Sequence, residues 1–142
     1  MRQKFYKSYM ESEILNADPL ELVRLLYRGA IERIGEARQC LGRRDIAGRI
    51  AAVIKATDII NELLLAIDRE RGGDIAARLV ELYDYMLRRI NEGNFQQADA
   101  PFAEVENLLR TLAEAWAQAS QGGPEPEPAG NGRQYERVSC AG

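Results

Sequence analysis

Apolar residues recur at alternating three- and four-residue intervals through four successive runs of the chain, the interval of helices packed along a seam. The first run is Leu20, Val23, Tyr27, Ala30, Ile34, Ala37 and Leu41. The second is Ile46, Ile50, Val53, Thr57, Ile60, Leu64 and Ile67, with Ala56, Ile59 and Leu63 widening its apolar face. In the third, Ile75, Leu79, Leu82 and Met86 lie beside a second stripe of Ala76, Val80, Tyr83, Leu87 and Ile90. The fourth carries Phe102, Val105, Leu109, Leu112, Trp116 and Ala119. Nothing in the pattern resembles the two-residue alternation of a strand.

Local signals place the boundaries. Asp18 suits a helix cap, Pro19 the first helical position and Glu21 the third, which together make a capping box. Gly42 is expected to stop the first helix, and Gly93-Asn94 marks the end of the third. Gly72-Gly73 is read as the reversal between the second and third helices, one glycine taking a left-handed conformation. Short reversals between helices of roughly 20 residues predict an all-α fold, an antiparallel up-down-up-down four-helix bundle.

Residues 18–120 are assigned to this bundle. Residues 1–17 are a short N-terminal segment, mobile or packed on the bundle, whose apolar set is Phe5, Tyr6, Tyr9, Met10, Ile14 and Leu15. Residues 121–142, rich in Gly, Pro and Glu, are expected to be a disordered tail.

Composition removes several functions. There is no histidine, the commonest general base and metal ligand. A di-metal bundle enzyme would need inward glutamates paired with histidines. Here Glu32, Glu36, Glu62, Glu81, Glu104 and Glu106 fall between the apolar positions and read as solvated faces. Cys40 and Cys140 form no CxxC pair and read as free thiols of a reducing compartment. No phosphate-binding loop, nucleophile elbow or calcium-loop spacing is present. We therefore expect no enzyme, no catalytic residues, no metal and no cofactor.

The net charge of -3 and the interleaving of arginines with acids argue against a nucleic-acid partner. The longest apolar stretch, Leu63 to Ile67, is too short to insert in a membrane, and no signal peptide is evident. A soluble, cytoplasmic protein is expected. What remains is surface. The second and third runs hold more apolar residues than one seam uses, which implies either a wider core or a groove for a partner's amphipathic helix.

The ordered elements resemble the flagellin-specific export chaperone family, FliS. The likeness runs from about Tyr6 to Trp116, through Tyr9 upstream of Pro19, "LVRLLYRGAI", "ATDIINELLLAID", "GGDIAARLVELYDYMLRRI", Asn94 and "EVENLLRTLAEAW". The resemblance implies a cytoplasmic chaperone that holds the disordered C-terminal segment of flagellin, prevents premature polymerisation and delivers it to the type III export gate. A segment that folds on binding must bury on the order of 1,000–3,000 Å² to offset its ordering, so such a chaperone needs a long apolar surface.

On that resemblance, flagellin contact is expected on the second and third helices, at Ile59, Leu63, Leu79, Leu82, Tyr83 and Met86. Each of these also fits plain core. Tyr6 and Tyr9 match positions that dock on the export-gate protein FlhA, or that cap the bundle end. Pro19, Leu26, Tyr27, Gly29, Gly72, Gly73 and Asn94 are the other positions that match the family pattern. Arg28 departs from it, standing where an aspartate is common. The alternative function is a regulatory adaptor whose partner is an anti-sigma factor or another flagellar regulator. Tyr85, two residues from Tyr83 and so about 200° around the helix, lies on neither apolar stripe.

Overall fold

The first and fourth apolar runs are buried at Tyr27, Ala30, Ile34 and Ala37 and at Phe102, Val105 and Leu109, whereas the second leaves Ile46 and Ile50 exposed. The computed structural model of the chain describes residues 19–122, in four helices: α1 (Pro19–Gly42), α2 (Ile46–Leu65), α3 (Arg69–Gln96) and α4 (Asp99–Gly122). The expected all-α four-helix bundle is what forms, and no strand occurs among the described residues. Tyr6, Tyr9, the rest of the N-terminal segment, Asp18 and the segment after Gly122 lie outside the described residues.

α1 packs against α2 and α4, and α3 packs against the same two, so α1 and α3 face each other across the bundle. Cross-helix pairs show how α1 and α4 pass. Tyr27 meets Trp116, whereas Arg38 meets Asp99 and Glu106. Rising numbers in α1 therefore meet falling numbers in α4.

The core is built from Leu26, Tyr27, Ala30, Ile34 and Ala37 of α1 and Ala52, Val53, Ala56, Ile59, Ile60 and Leu63 of α2. Tyr83, Met86 and Ile90 of α3 and Phe102, Val105 and Leu109 of α4 complete it.

On α2 this differs from the seam read from spacing. Ile46 and Ile50 are exposed, and the inner face is turned toward Ile59 and Leu63. The cause is visible at the N-terminal end. Arg49 takes an inner position, 6% exposed, and its Nε donates to Asn94 Oδ1 at 2.8 Å. Small Ala52 and Ala56 face inward beyond it and accompany the most extensive helix pair, α1–α2.

The reversals also fall elsewhere than the glycines suggested. Gly42 remains helical, and Arg44, with φ 60°, takes the left-handed position that ends α1. Asp45 N–H donates to Cys40 C=O at 2.8 Å and Arg44 N–H to Leu41 C=O at 3.1 Å, the paired bonds of a Schellman motif. Asp45 then caps α2 by accepting from Gly48 N–H at 3.0 Å.

The turn between α2 and α3 lies at Ala66–Asp68, where Asp68 caps α3 by accepting from Arg71 N–H at 3.1 Å. Gly72-Gly73 is thus not the reversal. It sits one turn inside α3, where Gly73 at φ 55°, ψ -130° kinks the helix in a region that suits only glycine. Asn94 is likewise inside α3, which continues to Gln96 and closes with Gln97 at φ 55°.

Candidate functional site

The end of the bundle that holds the start of α1 and the end of α4 is open. There the N-terminal turns of α1 and α3, the last turn of α2 and Trp116 of α4 surround an apolar cleft of about 370 Å³. Val23, Leu63, Ile67, Ile75, Leu79 and Trp116 supply its apolar wall, while Asp68 and Arg71 stand beside it as the charged lining. The kink at Gly73 shapes this region, because α3 changes direction between Arg71 and Ile75, both of which line the cleft. A methyl group on Gly72, itself a lining residue, would lie 2.5 Å from the Cβ of Ala76.

Two of the lining residues are tied to one buried hydroxyl. Tyr27, fully buried on α1, hydrogen-bonds across the bundle to the Tyr83 hydroxyl. Its oxygen also accepts from Trp116 Nε1–H at 3.0 Å. Burial pushes both phenols above their ordinary range, so the two hydroxyls keep their protons throughout the physiological range. A buried polar group costs little only when it is hydrogen-bonded. The pair therefore fixes the relative placement of α1, α3 and α4 at the inner edge of the cleft.

A second apolar surface covers the outside of α2. Ile46, Ile50 and Ile54, at successive four-residue steps, are 55%, 40% and 50% exposed. Ala47 and Ala51 are exposed alongside them. Asp58 and Asn61 interrupt this face before exposed Leu65, near the cleft. α2 is therefore apolar inside and outside, and a helix of that character ordinarily has both faces covered.

Comparison with known sequences gives this surface a context. The family described as "Flagellar protein FliS" matches residues 1–123 of the chain. The chain belongs to the FliS family. The flagellar secretion chaperone FliS of Salmonella typhimurium is 41% identical over 112 residues, 78% of this chain and 83% of the relative. The flagellar secretion chaperone FliSB of Pseudomonas aeruginosa is 33% identical over 114 residues, 80% of this chain and 90% of the relative. The FliS chaperone of Bacillus subtilis is 33% identical over 119 residues, 84% and 88% of the two chains. These relatives are named as secretion chaperones, so the family is one of chaperones and not of enzymes.

The residues expected from the FliS resemblance divide in three. Leu63, Leu79 and Tyr83 come together on the cleft wall. Ile59 and Met86 lie in the core, and Leu82 is half-buried and packs against it. Tyr6 and Tyr9 lie outside the described residues. Among the family-pattern positions, Pro19 opens α1, and Leu26, Tyr27 and Gly29 are all buried on it. Gly72 and Gly73 form the kink of α3, and Asn94 holds Arg49. Arg28 is exposed.

Sequence reading missed the outer face of α2, since Ile46 and Ile50 fit a seam as well as a surface. The signal that could have found it was the run "IAGRIAAVI", whose sole charged residue is Arg49. Tyr85 also has an assignment. Its hydroxyl donates to Glu104 Oε2 at 2.7 Å, while Arg89 Nε donates to Glu104 Oε1 at 2.6 Å, joining α3 to α4 outside the core. The bond to Glu104 raises the Tyr85 pKa, and Tyr85 and Arg89 together lower that of Glu104. No helix among the described residues is long and apolar enough to cross a membrane, and none of those residues form a metal-holding cluster.

Proposed function

We propose that this chain is a cytoplasmic chaperone for the C-terminal segment of flagellin, which it keeps from polymerising and delivers to the type III export gate. The observation that carries the reading is α2, whose outer face presents Ile46, Ile50 and Ile54 while its inner face is already packed. A disordered segment that becomes an amphipathic helix on binding supplies the second cover, with apolar anchors at matching four-residue steps. The cleft lined by Leu63, Leu79, Tyr83 and Trp116 receives a further anchor at the other end of α2. In this reading Leu82 lies at the edge of the contact surface, and Ile59 and Met86 support it from beneath. Delivery to the gate protein FlhA is assigned to Tyr6 and Tyr9.

The test is a binding comparison between full-length flagellin and flagellin that lacks its C-terminal segment. Binding to the full-length protein alone supports the proposal. Equal binding to both, or to neither, would sink it. The double substitution Ile50→Asp and Ile54→Asp locates the contact, because it charges only exposed positions. It is expected to weaken binding at least tenfold and leave the melting temperature near the wild-type value.

A further inference from the structure

The cleft presents its two large aromatic walls, Tyr83 and Trp116, from different helices, and neither is held by its own helix. Both polar ends converge on Tyr27, which is fully buried and is not itself a lining residue. Trp116 sits past the last fully buried residue of α4, Leu109, and is only half-buried. The one hydrogen bond of its side chain among the described residues is the 3.0 Å bond to the Tyr27 hydroxyl.

An indole donates but does not accept, so removing that oxygen leaves the N–H either without a partner or turned toward water. Rotation toward water would carry the ring into the cleft or out of it. Either motion changes the shape that an incoming apolar anchor meets.

We propose that Tyr27 is the positioning residue of the cleft: its hydroxyl holds Trp116 and Tyr83 in one arrangement and thereby sets the cleft's affinity for an apolar anchor. The mechanism is pre-organisation. A wall fixed before binding loses little side-chain freedom when the partner arrives, whereas a mobile indole must be ordered at that moment. The proposal rests on the reading that flagellin's C-terminal segment enters the cleft, but its first test does not depend on a partner.

Trp116 is the single tryptophan of the chain, so its emission reports on this site without labelling. In the free, full-length protein, Tyr27→Phe is expected to shift the emission to longer wavelength and to raise acrylamide quenching about twofold or more. Tyr83→Phe leaves the Tyr27 oxygen in place as the acceptor for Trp116, and its emission is expected to match wild type. Unchanged emission and quenching in Tyr27→Phe overturns the proposal.

The second test is titration with the flagellin C-terminal segment. Tyr27→Phe is expected to bind about fivefold to tenfold more weakly, the factor that one net hydrogen bond commands. Wild-type affinity in that variant also overturns the proposal. Loss of stability alone is separated by the double variant Tyr27→Phe, Tyr83→Phe, which leaves no phenol hydroxyl unpaired in the core. It is expected to recover stability and keep both the shifted emission and the weak binding. Recovery of wild-type affinity along with stability would assign Tyr27 a purely structural role. Should wild type not bind the segment at all, the flagellin reading fails, and the emission comparison still decides whether Tyr27 positions the cleft.

Discussion

The two ends of the bundle use similar residues to opposite effect. At the end where α3 meets α4, Phe102 is fully buried and lies so close to Gly93 that a methyl group there would stand 3.2 Å from its ring. Arg38 closes the same end from α1, donating to Asp99 Oδ1 at 2.8 Å and Oδ2 at 2.9 Å and to Glu106 Oε1 at 2.8 Å. Arg49 and Asn94 add a tie between α2 and α3. At the other end, Trp116 is half-buried, Ile75 is 71% exposed, and a cleft replaces the packed ring. A large aromatic on α4 is therefore packed into the fold at one end and lines an open cleft at the other. The interior ties are concentrated at the closed end, whereas the open end keeps apolar surface available between its helices.

Deleting each aromatic is the strongest way to break this comparison. Phe102→Ala removes a fully buried ring and is expected to cost about 3–5 kcal/mol in urea denaturation. Trp116→Ala removes a half-buried one and is expected to cost less than about 2 kcal/mol. Equal losses would erase the distinction between a packed end and an open end.

A smaller effect concerns acid. The hydrogen bond from Arg38 lowers the Asp99 pKa, and for Glu106 burial pushes the pKa up but is outweighed by Arg38 and Arg110. A carboxyl lowered in the folded state adds stability above its unfolded pKa of about 4 and loses it as pH falls through the folded value. Arg38→Gln should therefore flatten the loss of stability below about pH 4, measured as melting temperature against pH. The change stays modest, because Arg38 and Asp99 are both exposed enough for water to screen the pair. A curve as steep as wild type would remove the electrostatic part of the closed-end account.

The smallest expected change is a gain. Arg44 holds a left-handed φ of 60° at the end of α1, so Arg44→Gly relieves that strain. It is expected to raise stability by about 0.5–1 kcal/mol in denaturant titration, slightly offset by the added freedom of glycine in the unfolded chain.

The bundle was legible in the sequence because three-four spacing is a direct image of helical geometry. Tyr27, Ala30, Ile34, Phe102, Val105 and Leu109 were all expected as seam and are all buried. The orientation of α2 was not legible. Isoleucine and alanine weigh unequally in any count of apolar positions, so Ile46 and Ile50 drew the seam outward. Close packing against α1 instead favoured small Ala52 and Ala56 inside. Arg49 made the same error easier, since an arginine at an inner position is recognisable only once Asn94 is seen to accept from it.

The glycines misled for a related reason. A left-handed turn is commonest at glycine, but here Arg44 and Gln97 adopt it and Gly73 makes a kink within α3. Of the expected contact positions, Leu63, Leu79 and Tyr83 share the cleft because they lie on facing turns of α2 and α3. Trp116 was counted only as seam, because the bond from its indole to Tyr27 joins positions 89 residues apart. No local pattern encodes such a contact.

The central claim, that the flagellin segment lies along α2 with an apolar anchor in the open end, is tested most directly by the emission of Trp116 during titration of the full-length chain with that segment. The account predicts a saturable shift to shorter wavelength and protection from acrylamide, as the partner's apolar anchor displaces water from the cleft. Binding detected by calorimetry with Trp116 emission and quenching both unchanged would contradict it.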